Sequence, residues 1–226
     1  MNVLVTGANR GIGLGFVKHY LNGGHDVWAC FRQDPGGLKE LDTRRLRQLR
    51  WDVTEDKDEE FLVAAGIPEQ LDLLINNAGI YGPNGDGQSL ENITAQTMRE
   101  VFDVDCIGAL QVTQLLWKRM RVHGGVIANV SSKMGSSADN SSGGCYAYRA
   151  AKAALVICSR SMAIDLAPHG IDVVTLHPGW VRTDMTDHNG LITVAESVTG
   201  MARVIERTAD FSPGAFVAFD GKIVPY

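Results

Sequence analysis

The chain has 226 residues, of which 45% are hydrophobic and 21% charged, and its formal net charge is −5. A chain of this length forms one domain, or at most two small ones, and can bury a substantial core. The acidic balance, without any long basic run, argues against nucleic acid or an anionic membrane as the main partner. No apolar run approaches the roughly 20 residues that span a bilayer, and the first residues lack a basic leader. We therefore expect a cytoplasmic protein.

The four cysteines are scattered along the chain. Cys30, Cys106, Cys145 and Cys158 form no C-x-x-C pair and have no histidine at ligand spacing. This pattern favours reduced thiols in a cytosolic protein over disulfides or a zinc site. We expect no metal site.

Short apolar runs alternate with longer stretches of helical periodicity along the chain. In chain order, the patterns predict strands at Asn2–Val5, Val27–Phe31, Leu46–Val53, Leu71–Asn76, Val126–Val130, Ile171–Leu176 and Gly214–Phe219. They predict helices between these strands at Gly13–Leu21, Lys57–Ala65, Thr94–Arg121, Ala147–Leu166 and Val194–Arg207.

This alternation is typical of a doubly wound α/β sheet. The nearly continuous apolar run Leu71–Asn76 suits a strand that is covered on both faces, as in a parallel sheet. We predict a single domain over residues 1–226 with a mostly parallel, Rossmann-type sheet. Ligands of such sheets bind beyond the carboxyl ends of the strands, so the loops there are the predicted site.

A glycine-rich loop follows the first predicted strand and reads Thr6-Gly7-Ala8-Asn9-Arg10-Gly11-Ile12-Gly13. Glycines permit a tight turn and the close approach of a pyrophosphate, and the next helix offers free N–H groups. The spacing differs from the commonest dinucleotide fingerprint, so the loop alone fits a plain tight turn equally well. Its place between the first strand and the first helix favours the dinucleotide site.

Further motifs follow in a fixed order, and with them the chain resembles the short-chain dehydrogenase/reductase family. They are Asp52-Val53, Asn76-Asn77-Ala78-Gly79, Ser131-Ser132, Tyr148-x-x-x-Lys152 and Pro178-Gly179. The resemblance covers essentially the whole chain, and the ending with Asp220-Gly221 resembles the small carbonyl-reductase and C-factor-like branch. It implies a nicotinamide-dependent oxidoreductase that moves a hydride between the nicotinamide and a carbonyl or alcohol carbon of a small substrate.

The resemblance also implies which residues hold the dinucleotide. They lie in the glycine loop, at the adenine, along the ribose and nicotinamide, on the Tyr/Lys helix and after the sixth strand. The set is Gly7, Asn9, Arg10, Gly11, Ile12, Gly13, Asp52, Val53, Asn77, Ala78, Gly79, Tyr148, Lys152, Pro178, Gly179, Val181 and Thr183.

The end of the second strand favours NADP over NAD. An acidic residue there binds the ribose 2′-OH of NAD, whereas an arginine accommodates the 2′-phosphate of NADP. Here the strand ends on Arg32, and the nearest carboxylate, Asp34, comes later in the turn. Arg32 and Arg10 would pair well with a phosphate. The alternative is that both arginines are ordinary surface residues.

Tyr148 and Lys152 are the predicted reacting pair, since residues four apart share one face of a helix. A nearby ammonium favours the phenolate, and the oxidised, positively charged nicotinamide would push the same way, so we expect a lowered Tyr148 pKa and a usable acid/base. Tyr146 has no such partner and is the weaker candidate. By resemblance, the Ser132 hydroxyl binds the substrate oxygen, and Ser131 is expected to face the other way.

Asp105 departs from the family's pattern. The family often has an asparagine here that helps organise a proton-relay water, so the relay is in doubt although hydride transfer is not. We include Asp105 in the predicted catalytic set and expect it to be compatible with turnover.

The segment Trp180–Thr193, after the sixth strand, is short. A short lid predicts an open site that tolerates a range of small carbonyl substrates. Trp180 and Met185 within it could pack on a substrate, but we expect them to fill core space instead.

Three alternatives stay open to different degrees. A non-catalytic NADP-binding regulator could keep the fold, and Asp105 mildly favours it. A sugar-nucleotide epimerase would need an extra C-terminal domain, and a methyltransferase has no use for the Tyr/Lys pair. The family commonly pairs its two long mid-chain helices across subunits, which implies a homodimer or homotetramer.

Overall fold

A seven-stranded sheet forms the centre of the protein in a computed structural model that describes residues 1–226. Its strands are β1 (Asn2–Val5), β2 (Asp26–Phe31), β3 (Leu46–Arg50), β4 (Leu73–Asn76), β5 (Gly125–Val130), β6 (Ile171–His177) and β7 (Phe216–Ala218). Their order is β3-β2-β1-β4-β5-β6-β7, and all neighbouring strands are parallel. The direction of strand addition reverses between β1 and β4, which is the switch point where such sheets bind ligands.

Helices cover both faces of the sheet, so two hydrophobic cores form, one on each side. The helices are α1 (Gly11–Asn22), α2 (Glu59–Ala64), α3 (Ala95–Phe102), α4 (Gly108–Leu116), α5 (Tyr146–Leu166) and α6 (Val194–Glu206). One core buries Phe16 of α1 and Met201 of α6 against the sheet. The other buries Leu62 of α2, Leu116 of α4 and Met162 of α5.

The predicted single-domain Rossmann-type fold is confirmed, and the sheet is wholly rather than mostly parallel. The predicted third strand is too long, because β3 ends at Arg50 and residues 51–53 already belong to the loop beyond it. The connection from β2 to β3 has no α-helix, only a 3₁₀ turn at Gly36–Glu40.

The predicted mid-chain helix Thr94–Arg121 is interrupted. A π-helical turn at Asp103–Ile107 separates α3 from α4, and Asp105 and Cys106 are both buried within it. Such turns insert an extra residue into a helix and often occur at functional sites. The sequence periodicity alone did not indicate this interruption.

No helix has the length and apolar character needed to cross a bilayer. All four cysteines are free thiols, and no group of three or more histidine, cysteine, aspartate or glutamate side chains lies together in metal-binding geometry.

Candidate active site

A cleft of about 430 Å³ opens at the carboxyl edge of the sheet. The loops after β1 to β6 and the start of α5 form its walls, because parallel strands bring all their carboxyl ends to one edge. The structure brings together here the glycine loop, Arg32, Asp52-Val53, Asn77–Gly79, Ser132, Tyr148, Lys152, Pro178-Gly179, Val181 and Thr183. Asp105 is the one residue of the predicted site that does not line the cleft.

The glycine loop is held by close backbone approach. A Cβ at Gly13 would lie 2.2 Å from the backbone oxygen of Gly7, and a Cβ at Gly7 would lie 2.7 Å from the Cα of Ala78. The Asn77 side-chain amide donates hydrogen bonds of 3.0 Å to the backbone oxygens of both Thr6 and Gly7. Asn77 therefore fastens the loop to the end of β4.

The start of α1 offers unused hydrogen-bond donors to the cleft. Its N-cap residue, Arg10, makes no side-chain cap hydrogen bond, and no acidic residue lies in the first turn. The first N–H groups of a helix have no partner within the helix, and the positive end of the helix dipole favours an anion. This arrangement fits a pyrophosphate.

The two arginines of the cleft differ in their partners. Arg32 makes no ion pair, whereas Arg10 lies 3.0 Å from Asp184 of the segment after β6. Asp34, near Arg32, is engaged by Lys39 at 2.6 Å and accepts the Gly36 N–H. Lys39 and then the Gly36 N–H hold the pKa of Asp34 below its ordinary value. Arg32 is thus the cation that remains free for a phosphate.

A buried ion pair joins Lys152, which lines the cleft, to Asp105, which does not. Lys152 Nζ is 3.1 Å from Asp105 Oδ2 and donates to the backbone oxygen of Val130 at 3.1 Å. Asp105 Oδ1 accepts the Ile80 N–H at 2.7 Å. A Cβ at Gly79 would lie 3.2 Å from Lys152 Nζ and 3.3 Å from Asp105 Oδ2, so glycine there leaves room for the pair.

Burial and mutual attraction compete in this pair. Burial raises the pKa of Asp105, and Lys152 together with the Ile80 N–H opposes that rise. Burial, the largest single cause, lowers the pKa of Lys152, but Asp105, Tyr148 and Cys106 together outweigh it, so the pKa of Lys152 is raised. The 3.1 Å separation and the Ile80 N–H both stabilise the carboxylate, which supports an ion pair with a firmly protonated Lys152.

The phenol of Tyr148 is buried, with Lys152 Nζ 5.6 Å from its ring centre. Burial raises the pKa of Tyr148, Lys152 lowers it, Asp105 raises it, and the Ser132 hydroxyl lowers it; the net direction is upward. For the chain by itself, the prediction of a lowered Tyr148 pKa is therefore wrong, because it counted the ammonium and the oxidised nicotinamide and left out desolvation, which is larger than the effect of the ammonium.

The two serines after β5 point to different places. Ser131 is buried and its hydroxyl donates to the backbone oxygen of Lys152 at 2.9 Å. Ser132 lines the cleft near Tyr148, and its Oγ accepts the Met134 N–H at 3.2 Å.

Part of the cleft wall was not predicted from the sequence. Trp51, Ile80 and Tyr81 line it, each close in sequence to a motif that was recognised. Their closeness in sequence to these motifs was the one signal that could have predicted their place in the cleft wall. Trp180 and Met185 line it as well and are 53% and 42% exposed, so the expectation that they fill core space is wrong.

The chain is similar in sequence and in structure to several known proteins. The model of the short chain dehydrogenase family matches residues 1–191. C-signal from Myxococcus xanthus is 40% identical over 158 residues, which cover 69% of this chain and 93% of C-signal. NADPH-bound carbonyl reductase from chicken fatty liver is 35% identical with a TM-score of 0.86, covering 100% of this chain and 98% of that one. A carbonyl reductase from Pseudomonas aeruginosa PAO1 in complex with NADP is 33% identical with a TM-score of 0.84, covering 100% and 99%.

The fold and the site together define a class, the dinucleotide-binding α/β oxidoreductases, because a loop suited to pyrophosphate and a Tyr/Lys pair share one cleft. The family model matches residues 1–191, which is most of the chain, and so it identifies one family within this class. The chain belongs to the short chain dehydrogenase family.

Proposed function

We propose that the protein is an NADP(H)-dependent oxidoreductase that transfers a hydride between the nicotinamide and the carbonyl or alcohol carbon of a small substrate. One observation carries the proposal: Ser132, Tyr148 and Lys152 line the same cleft as the glycine loop. The NADP and NADPH bound by the two similar carbonyl reductases support this choice of cofactor.

The residues of the cleft fit this cofactor. The free N–H groups of α1 suit the pyrophosphate, and the unpaired guanidinium of Arg32 suits the 2′-phosphate. Arg10 would assist Arg32 by exchanging Asp184 for a phosphate oxygen. When bound, NADPH supplies the hydride, and the protein's own residues must bind the substrate and deliver the proton.

Tyr148 acts as the general acid in carbonyl reduction. A raised pKa keeps its phenol protonated at neutral pH, which is the form that gives a proton to the developing alkoxide. The Ser132 hydroxyl donates to the same substrate oxygen and polarises the substrate carbonyl. In the reverse direction the phenolate accepts the proton of the alcohol, so both directions use one group.

Lys152 and Asp105 set the electrostatics around Tyr148. The buried ammonium of Lys152 stabilises the phenolate that remains after proton transfer. Asp105 holds that ammonium in place and maintains its charge. Asp105 does not support the alternative of a non-catalytic regulator, since its side chain does not line the cleft and so does not block it.

The substrate is a small neutral carbonyl or alcohol. Tyr81, Trp180 and Met185 offer aromatic and apolar surface, and Trp180 and Met185 are open to solvent. Most of the acidic and arginine side chains of the cleft lie in the loops after β1, β2 and β3. The remaining one, Asp184, pairs with Arg10 of the loop after β1. A charged substrate would therefore find only Lys152, which is already paired.

We also propose a cytoplasmic homodimer or homotetramer in which residues 1–226 form one catalytic domain. Ile157 and Ile164 of α5 are exposed and seven residues apart, which places two apolar side chains on one helix face. Pairing of this face with a second copy would cover both. Sedimentation of the native protein and of an Ile157→Glu/Ile164→Glu variant tests the pairing; a native monomer contradicts it.

The proposed activity is tested by following the absorbance of NADPH and NADH with a panel of aldehydes, ketones and quinones. We expect carbonyl-dependent oxidation of NADPH, with NADH clearly inferior. Tight NADPH binding without turnover of any carbonyl would favour a regulator, and a lack of NADPH binding would reject the whole proposal.

A further inference from the structure

Gln88 is a buried amide in the loop between β4 and α3, and only 2% of it is exposed. Its Nε2 donates to the backbone oxygen of Tyr81 at 2.7 Å and to that of Pro83 at 3.3 Å. Its Oε1 accepts the backbone N–H of Tyr148 at 3.0 Å. One side chain therefore connects a wall of the cleft to the helix that carries Tyr148.

The helix needs this acceptor. The N-cap residue of α5, Cys145, has φ 49° and makes no side-chain cap hydrogen bond. Tyr148 is the third residue of α5, and its N–H has no carbonyl partner within the helix. A buried N–H without a partner is costly, and Gln88 satisfies it from 60 residues away.

The same loop contacts the start of α5 at two more points. The rings of Tyr81 and Tyr148 lie 5.0 Å apart between centres, and the Tyr81 hydroxyl is 2.9 Å from Cys145 Sγ. Gly82, at φ +86°, lets the loop close onto the amide, since a Cβ there would lie 3.3 Å from Gln88 Nε2 and 3.0 Å from Val101. The loop therefore packs closely against the Gln88 side chain.

We propose that Gln88 is a positioning residue for the reaction, holding the segment Tyr81–Pro83, of which Tyr81 lines the cleft, and the proton donor Tyr148 in one fixed arrangement. The inference rests on the proposed function, because it gives Gln88 its effect through Tyr148. Misplacing a reacting group by about 1 Å costs on the order of 100-fold in rate, so a loose Tyr148 should lower kcat.

Two substitutions distinguish the hydrogen bonds that the Gln88 amide donates from the one that it accepts. Gln88→Met keeps much of the volume and removes every hydrogen bond. Gln88→Glu keeps an acceptor for the Tyr148 N–H but, when ionised, has no donor for the backbone oxygens of Tyr81 and Pro83. Protonation of the substituted carboxyl restores one donor, so acid pH should partly restore this variant.

The experiment measures kcat, KM, the NADPH dissociation constant and Tm for the native protein and both variants with one carbonyl substrate. We expect kcat of Gln88→Met to fall about 10- to 100-fold while NADPH affinity stays within about twofold. The ratio of Gln88→Glu to native kcat should rise as pH falls, a dependence that a purely structural role would not produce.

Two control variants isolate the effect. Asn92→Ala, in the same segment, removes an exposed amide that bonds only Asp86, and should behave as native. Leu62→Ala, in the core packed by α2 and outside the cleft, should lower Tm while leaving kcat unchanged. A native kcat in Gln88→Met, or a matching kcat loss in Leu62→Ala at similar Tm, overturns the proposal.

Hydrogen–deuterium exchange reads the same arrangement without turnover. Peptides covering residues 80–88 and 146–150 should both exchange faster in Gln88→Met than in the native protein, and neither should change in Asn92→Ala. If the native protein reduces no carbonyl, the proposed function fails and exchange alone decides whether Gln88 holds the two segments. Native-like exchange of both peptides in Gln88→Met contradicts that role.

Discussion

The two parts of the cleft are built in different ways. The nucleotide part, Thr6–Gly13 with Arg32, is formed by backbone that must stay free of side chains and by helix N–H groups that stay unused. The reacting part, Tyr148 and Lys152 with Asp105 and Gln88, is formed by buried polar side chains from distant parts of the chain.

This difference predicts different weaknesses. The nucleotide part loses function when a side chain or a missing cation alters the fit of a phosphate. The reacting part depends on buried groups whose charges and hydrogen bonds support one another, so pH and isosteric substitutions should affect it more. The variants below test whether binding and chemistry can be changed separately.

The largest effect is expected for Tyr148→Phe, which removes the hydroxyl that moves the proton. Turnover should fall by roughly 10²–10⁴-fold, with NADPH affinity unchanged. Measured kcat and NADPH titration give both numbers, and Tyr146→Phe, on the exposed face two residues earlier, is the matched control. Retention of more than about a tenth of native activity would show that Tyr148 is not the acid.

The next effect is a loss of folding stability at acid pH, caused by His177, which contacts the residue after Ser132. His177 Nδ1 accepts the Lys133 N–H at 3.1 Å, and burial first, then Lys133, lowers the pKa of His177 from 6.5 to about 4. Full stability is therefore present above pH 6.5 and is lost as pH falls toward 4, because the unfolded chain then binds a proton that the folded chain resists. The loss by pH 4 should reach about 3 kcal/mol.

Urea unfolding between pH 7 and pH 4 measures this loss. His177→Asn keeps an acceptor for the Lys133 N–H without a titrating ring, so its stability should decline less over that range. His188→Asn, at an exposed site, serves as control. An identical decline in the native protein and in His177→Asn would remove His177 as the cause.

For the nucleotide part, Arg32→Ala should weaken NADPH binding by about 10- to 150-fold, the equivalent of roughly 1.5–3 kcal/mol for a charged hydrogen bond to phosphate. NADH binding should not change, since NADH lacks the 2′-phosphate. Arg47→Ala, in β3 and outside the cleft, is the control. Equal affinity of the native protein for both cofactors would contradict the assignment.

The smallest effect is expected for Asp105→Asn, which preserves size and removes the charge. The Asp105 carboxylate raises the pKa of both Tyr148 and Lys152, so its loss lowers both. Carbonyl reduction needs protonated Tyr148, so the alkaline loss of activity should begin at lower pH in the variant. Optimal kcat should stay within about tenfold, or about 1.4 kcal/mol.

Comparison of pH–rate curves with those of Asp103→Asn, exposed in the same π turn, isolates the buried charge. An inactive native protein that gains vigorous activity on Asp105→Asn would favour a regulatory role.

The same contrast explains how much the sequence could predict. The positions of the strands, their mostly parallel arrangement and the cleft-lining motifs were predictable, because glycine positions and hydrophobic periodicity are local signals. The raised pKa of Tyr148 and the exposed positions of Trp180 and Met185 were not, since they depend on how the folded chain covers each side chain. Gln88 was missed because its partners lie up to 60 residues away and no local pattern marks it.

Nucleotide binding and proton transfer are thus expected to be separable within one cleft. The decisive measurement is the NADPH dissociation constant of the native protein, Arg32→Ala, Tyr148→Phe and the double variant. Arg32→Ala should weaken binding equally in both backgrounds, with a coupling energy below about 0.5 kcal/mol. A coupling of about 1.4 kcal/mol or more, a tenfold difference between backgrounds, would show that the two parts are not independent.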